Sequence, residues 1–354
     1  MKIGNVDIGK KLFLAPMAEI TDSSFRRICK EHGAGFTFTQ MVSAAGVIKN
    51  NFFTLRNLSF HKSEKPIGVQ LLGNDPVIIG DAVKEISSFK PDLIDLNCGC
   101  PVQKVTANFM GAALLDDPNV IGKLVLSMVK SSNGIPISVK IRLGRNKKNI
   151  NVIDVAKAVE DNGGSLIFIH ARTRDEKYDT EPHWQWIKKV KETVKIPVVG
   201  NGSLFYPDDI KKMIDETNCD SAMIARGAIG NPFIFERYNS IIETGIDPGE
   251  PSVEYIKNVL LRQINLLEEE YGEYNCLDKV KKNIIWYFRN FEGIQILMEK
   301  VFSQKDLASL KLLVDEHVEK IQSNFYKIQD SDYINSKFKK KVLFWLENDY
   351  EEIQ

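Results

Sequence analysis

Seven places in this chain of 354 residues bring together side chains and turns able to do chemistry. They are Ala15-Pro16-Met17-Ala18, Gln70, Asn97-Cys98-Gly99-Cys100-Pro101, Lys140 with Arg142, His170 with Arg172, Asn201-Gly202-Ser203, and Ala225-Arg226-Gly227. A lysine there offers a positive charge or a Schiff-base amine, with a solvated strand end as the bland alternative. A lone histidine is as often a satisfied structural group as a functional one. Gly200-Asn201-Gly202 and Arg226-Gly227-Ala228 are tight turns by composition, and such turns can also present backbone amides to a phosphate. Cys98 and Cys100 have C-x-C spacing with no second cysteine or histidine pair nearby, a poor metal signal, so no metal site is expected.

Each of these groups ends a short apolar run. The runs begin at Lys11, Gly35, Pro66, Asp92, Pro136, Ser165, Ile196 and Asp220, about 25 to 45 residues apart, the spacing of a βα unit. Between them lie helical patterns such as TDSSFRRICKEHG, NDPVIIGDAVKEISSF, VIDVAKAVEDNGG and YPDDIKKMIDETN, with polar caps and glycine or asparagine stops. Runs apolar almost throughout suit strands buried on both faces. Eight such units predict a closed (β/α)₈ TIM barrel ahead of an open sheet, with its active site at the carboxyl ends of the strands. Phosphate is often held after strands seven and eight of such barrels, which favours that use of the two glycine turns.

After Asn231-Pro232 and GIDPGEPS the strand pattern stops. VEYIKNVLLRQINLLEEEYG, DKVKKNIIWYFRNF, KDLASLKLLVDEHVEKIQSNF and KFKKKVLFWLEND carry apolar residues at three- and four-residue spacing. The expected division is a barrel over 1–245 and an all-helical domain over 246–354. Forty-seven basic residues balance 47 acidic ones, so any nucleic-acid contact must be local. Five scattered cysteines argue against a disulfide framework. A mean hydropathy of −0.20 and the absence of a long apolar run exclude a spanning helix, and the first residues lack the pattern of a signal peptide. A cytoplasmic protein, off the membrane and without an obligate protein partner, is expected.

Asp-Leu-Asn-Cys-Gly-Cys-Pro-Val-Gln-Lys-Val from Asp95 resembles the signature of the tRNA-dihydrouridine synthases, closest to their bacterial DusB-like branch. Leu-Ala-Pro-Met-Ala-Glu-Ile-Thr-Asp (from Leu14), Val-Gln-Leu-Leu-Gly (Val69) and Val-Lys-Ile-Arg-Leu-Gly (Val139) are similar to that family in order along the barrel. So are Ile-His-Ala-Arg-Thr-Arg (Ile169), Gly-Asn-Gly-Ser (Gly200) and Ala-Arg-Gly-Ala (Ala225). The resemblance implies FMN as cofactor, NADPH or NADH as electron donor, tRNA as partner, and reduction of the C5–C6 bond of specific uridines to 5,6-dihydrouridine. It implies that Pro16, Met17 and Ala18 line the flavin ring, with Gln70 and Lys140 at its polar edge and His170 placing ring or phosphate. Asn201, Gly202, Ser203, Ala225 and Arg226 would cradle the phosphate. Cys100 would be the general acid, a role that suits a thiol with an ordinary pKa of roughly 8.5, and Cys98 would be structural.

For RNA the resemblance points to Asn97, Arg142 and Arg172 at strand ends, and to Lys279, Lys281 and Lys282, where Asn283 departs from the family's histidine. Lys337, Lys339, Lys340 and Lys341 form a second basic run. Three other readings stay open on the residues alone. They are an FMN barrel acting on a free pyrimidine, as a dihydroorotate dehydrogenase does, a Schiff-base aldolase using Lys140, and an RNA-binding module without activity.

Overall fold

The computed structural model describes residues 1–323. Strands β1 (Lys2–Ile3) and β2 (Val6–Asp7) pair as a small hairpin. The remaining strands are β3 (Phe13–Leu14), β4 (Thr37–Phe38), β5 (Val42–Ser43), β6 (Ile67–Leu72), β7 (Leu93–Cys98), β8 (Ile137–Arg142), β9 (Leu166–His170), β10 (Val198–Asn201) and β11 (Ser221–Ile224). They form one parallel sheet in the order β3-β11-β10-β9-β8-β7-β6-β4, with β5 added beside β6. A parallel bridge from Phe13 to Phe36 and the bond from Leu14 N to Phe36 O bring the first strand against the second. All eight apolar runs thus become staves of the expected barrel.

Side chains alternate in and out along each stave. On β7, Ile94, Leu96 and Cys98 point outward into the apolar layer shared with the helices, while Leu93 faces the barrel axis. On β8, Ile137, Val139 and Ile141 point outward, which turns Ser138, Lys140 and Arg142 inward. Phe13, Phe36, Phe38 and Phe168 fill the barrel's lower half, with ring centroids 5.1–5.5 Å apart along the cluster. Ile3 and Ile8 of the N-terminal hairpin region plug its base. The upper half carries the polar residues, so the apolar floor fixes the depth at which chemistry can occur.

The predicted helices appear at Ser23–Glu31, Pro76–Ser87, Val152–Asp161 and Pro207–Thr217. Asp22 and Asp75 cap the first two through their side chains, as oxygen-bearing residues at that position do. Beyond helix Phe233–Thr244, which ends at left-handed Gly245, four helices (Val253–Tyr271, Glu273–Phe288, Ile294–Ser303 and Leu307–Gln322) share a second core. Ile294–Ser303 was not expected from the sequence. The expected helix KFKKKVLFWLEND and its lysines, Lys337, Lys339, Lys340 and Lys341, lie outside the described residues.

Barrel and helices meet closely. Ile28 and Phe233 enter the second core, and the buried Arg289 guanidinium donates to the Ile229 and Trp286 carbonyls at 2.6 and 2.7 Å. Gly230 has a positive φ of 62°, and a Cβ there would meet the Trp286 backbone at 2.4 Å, so only glycine allows this approach. Lys279 Nζ lies 3.3 Å from Asp22 Oδ2, and Glu270 accepts from the Ser24 amide at 3.1 Å.

Candidate active site

The mouth of the barrel is a cavity of about 500 Å³, a size usual for small-ligand sites. One wall is a relay of hydrogen bonds. Asp95, fully buried on β7, accepts from Ser138 Oγ at 2.6 Å and from Gln70 Nε2 at 2.8 Å. Gln70 Oε1 accepts from Asn97 Nδ2 at 2.9 Å, and Asn97 Oδ1 accepts from the Gly99 and Cys100 amides at 3.0 and 2.9 Å. The carboxylate only accepts, so each amide in turn has one orientation: nitrogen toward Asp95, oxygen toward the turn. The turn that presents Cys100 is therefore aimed from the barrel interior. Burial pushes the Asp95 carboxyl up to about 6, against the opposing pull of Ser138, Gln70 and Lys140.

The two cysteines part company on this wall. Cys98 points into the outward apolar layer, and burial, with the Asp95 charge adding to it, holds its thiol far above its ordinary value. Cys100 lines the cavity. Burial raises its thiol too, opposed by the Val102 amide and the charges of Arg142 and Lys140. A thiol so placed keeps its proton at neutral pH, while the nearby cations would stabilise the thiolate once the proton is given up. The C-x-C pair does not converge on one point.

The rest of the mouth, from β8 round to β11, is cationic. Lys140 is lowered to about 8 by burial and then by Arg142, partly offset by Asp95 and Cys100. His170 is pushed well below its usual range by burial and by Arg142, Lys140, Arg172 and Arg226, so the ring is neutral. Arg172 Nη1 lies 3.2 Å from His170 Nε2. A guanidinium can only donate, which puts the imidazole proton on Nδ1. Arg226 is lowered to about 10 by burial and then by Arg172. Cations that depress one another in this way are preorganised for an anion. Beside them, the Gly202 and Ser203 amides just beyond β10 donate to no backbone carbonyl among the described residues. Gly227 packs where a Cβ would lie 2.0 Å from the Leu204 carbonyl, so the two strand-end turns can touch only because it has no side chain.

Every expected cofactor-binding residue (Pro16, Met17, Ala18, Gln70, Lys140, His170, Asn201, Gly202, Ser203, Ala225, Arg226) lines this one cavity with Cys100. Asn201 also ties β10 to β11 by donating from Nδ2 to the Met223 carbonyl at 2.7 Å. Of the residues expected to touch RNA, Asn97, Arg142 and Arg172 line the same cavity, whereas Lys279, Lys281 and Lys282 lie on helix Glu273–Phe288. Arg142 is buried, with Nε and Nη1 on the Gly99 and Thr173 carbonyls at 2.9 Å each. Arg172 is buried on the Thr180 carbonyl and Ser203 Oγ. Both hold the cavity wall, and so does buried Asn97. Lys279 is partly buried in its pairing with Asp22; Lys281 and Lys282 are half-buried on the same helix. Asn283 lies in the helical core, where its Oδ1 accepts from Gln263 at 3.1 Å.

Sequence reading missed Asp95 as a group of the site, Met41, Phe205 and Tyr178. The Tyr178 ring stacks toward His170 (6.2 Å between centroids, 15° apart) and lies under the Arg226 and Arg142 guanidiniums at 5.0 and 5.6 Å. Its loop is anchored by Glu176, which accepts from the Thr173 amide at 2.8 Å and lies 2.7 Å from His183 Nε2. Burial alone would raise that carboxyl, but the bonds from His183 and Thr173 hold it near 2. The alternation on β7 was the available signal for Asp95, since it must share a face with Asn97. Nothing in the loop sequence marks Tyr178.

Residues 13–325 match the model of the dihydrouridine synthase (Dus) family. The chain is 36% identical over 295 residues to the tRNA-dihydrouridine synthase B of Pasteurella multocida, covering 83% of this chain and 88% of that protein. It is 34% identical over 313 residues to the tRNA-dihydrouridine synthase B of Vibrio vulnificus, covering 88% and 96%. Among solved structures, it is similar to histamine dehydrogenase from Rhizobium sp. 4-9 at a TM-score of 0.52 and 16% identity, over 74% of this chain and 50% of that one. It is similar to 2-naphthoyl-CoA reductase at 0.55 and 11%, over 69% and 51%. The chain spans about half the length of these two structures, and the likeness is one of fold.

Proposed function

The chain belongs to the dihydrouridine synthase family, and on that premise we propose that it reduces the C5–C6 double bond of specific uridines in tRNA, using FMN and taking electrons from NADPH or NADH. The donor set fits such a cofactor. Pro16, Met17 and Ala18 offer an apolar wall for its ring, Gln70 and Lys140 a polar edge, and Asn201 to Ser203 with Ala225 and Arg226 an anion cradle. A flavin bound there would supply the hydride for carbon 6 of the uracil.

The chain's own contribution is the second hydrogen. Carbon 5 takes a proton from Cys100 Sγ, whose S–H bond breaks to leave a thiolate facing Arg142 and Lys140. Solvent then returns the proton to sulfur. Asn97 keeps the turn in place throughout, and Arg142 pins the Gly99 carbonyl from the other side. The target uridine must leave its stack to enter the cavity. In this reading residues 1–245 form the catalytic domain and 246–354 the tRNA-binding domain, and the site of action is the cytoplasm. No helix among the described residues is long and apolar enough to cross a membrane.

The observation that carries the reading is that Cys100, and not Cys98, shares a cavity with the cationic cradle. Two half-reactions test it. Cys100→Ala should leave flavin reduction by NADPH near normal and lower uridine reduction by about 10²-fold or more, the scale of a lost general acid. Cys98→Ala should change either rate little. Exchanged effects would overturn the assignment, and protein that neither carries nor takes up FMN would overturn the cofactor.

A further inference from the structure

Between Glu31 and Glu64 the chain has no acidic residue at all, although 47 of its 354 residues are Asp or Glu. Glu64 itself is fully buried against Arg26 and Ser23. The stretch leaves the barrel mouth at cavity-lining Met41, adds β5 to the sheet edge, and forms the short helices Ala44–Ile48 and Phe52–Leu58. At the start of the second helix, which Asn51 caps through the Thr54 amide, Phe52 and Phe53 stand 70% and 71% exposed. Their rings lie edge to face, 5.6 Å between centroids and 77° apart. Exposed Lys49 and Arg56 flank them.

Two adjacent phenylalanines so exposed are costly in water unless something covers them. The ring pair is too small and too closely bordered by Lys49, Asn50, Asn51 and Arg56 to resemble the apolar centre of a protein interface. It has the composition of a base-stacking platform on a cationic track. Its position agrees. The Arg56 guanidinium lies 4.4 Å over the Tyr271 ring, which also faces Lys279 at 5.0 Å, so the short helix sits where the barrel meets the helical unit. Tyr274, just beyond Tyr271, is 84% exposed.

We propose that Phe52 and Phe53, carried on the acid-free segment 32–63, form a stacking platform for unpaired bases of the RNA substrate near the mouth of the cavity. The proposal rests on the reading that tRNA is the substrate. Recognition is by π-face and charge, so it is tolerant of base identity, with Lys49 and Arg56 taking the neighbouring phosphates.

The test uses the full chain loaded with FMN and bulk tRNA at two or more salt concentrations. Phe52→Leu with Phe53→Leu keeps apolar bulk but removes both π-faces, and should weaken tRNA binding about 10-fold or more, with the slope against log salt unchanged. Phe52→Tyr with Phe53→Tyr should bind like the wild type. Lys49→Gln should flatten the slope by up to about 0.7 to 0.9. Flavin reduction by NADPH should be the same in all four proteins, which separates a lost platform from a misfolded one. Wild-type affinity in the double leucine variant overturns the platform. So does self-association of the wild type that the leucine variant abolishes, because the rings would then serve a protein contact. A wild-type protein that binds no tRNA would instead overturn the underlying reading.

Discussion

Replacing Asp95 by Asn should separate stability from activity. Among the described residues the buried Asp95 carboxyl has Ser138 and Gln70 as its side-chain hydrogen-bond partners, and it is raised from 3.8 to about 6. The unfolded chain ionises near pH 4 while the folded chain holds the proton until about pH 6. Between those values the folded state binds more protons, so stability falls as pH rises. At about 1.4 kcal/mol per pKa unit the loss is about 3 kcal/mol, complete above pH 6. The amide cannot ionise and escapes it, less about 1 kcal/mol for poorer hydrogen bonding to Ser138 and Gln70. The variant should therefore match or slightly trail the wild type at pH 4 and melt a few degrees higher at pH 7 to 8. Its activity should move the other way. Asparagine can donate as well as accept, so Gln70 is no longer forced to turn its oxygen to Asn97, and the turn holding Cys100 loses its single orientation. Uridine reduction should fall about 10-fold or more, with flavin reduction by NADPH largely kept. Thermal melts of both proteins from pH 4 to 8, beside single-turnover assays, provide the comparison. Parallel melting curves would refute the raised carboxyl, and unchanged turnover would refute the relay.

Two further outcomes follow from the charges around the site. Lys140, lowered to about 8, should lose its proton as the pH passes about 8, and uridine reduction should decline there; Lys140→Met should remove that limb and weaken FMN binding, measured by fluorescence titration. Because the unfolded lysine keeps its proton to about 10.5, the cofactor-free protein should gain stability between pH 8 and 10.5, a rise absent from the methionine variant. Lys279→Ala removes the pairing with buried Asp22 and the contact with Tyr271. It should cost about 1 to 2 kcal/mol in a melt while leaving the salt slope of tRNA binding intact, and a flattened slope would return Lys279 to the RNA surface.

The barrel was legible because its signal is repeated. Eight β-branched runs at βα spacing leave few other arrangements, and the polar residue at each run's end then had to gather at one mouth. Period-two alternation alone would mislead at the strand's end. Cys98 and Cys100 are two apart on paper, yet the strand ends at Cys98 and the chain turns at Gly99, so one faces the helices and the other the cavity. Charge did not mean exposure. Arg142 and Arg172, expected as RNA contacts, line the cavity but are buried, with their donors on backbone carbonyls of the loops after β7 and β9. Lys279 was drawn inward by Asp22, 257 residues earlier in the chain, a contact no local pattern contains. Tyr178 sits on a loop whose path depends on Glu176 meeting His183 and Thr173, and helix Ile294–Ser303 follows a tight turn at Gly293 whose left-handed backbone carries no apolar periodicity.

The division of labour within the mouth follows from which strands supply which charges. β6 and β7 bring Gln70, Asp95 and Asn97, amides and one carboxylate whose bonds run in a single direction and end on the Cys100 turn. β8 to β11 bring Lys140, Arg142, Arg172 and Arg226, with His170 kept neutral among them. Had the carboxylate stood among the guanidiniums, it would have neutralised the cradle and freed the amides to flip. Had a cation replaced Asp95, Gln70 would present its oxygen inward and Asn97 its nitrogen to two backbone donors, leaving the turn unpaired. Asp95 opposes both outcomes from one position: it is near enough to Lys140 to support that charge, and it is bonded to Gln70 so that the acid-bearing turn is held. An amide at that position could do neither, since it carries no charge for Lys140 and does not fix the orientation of Gln70.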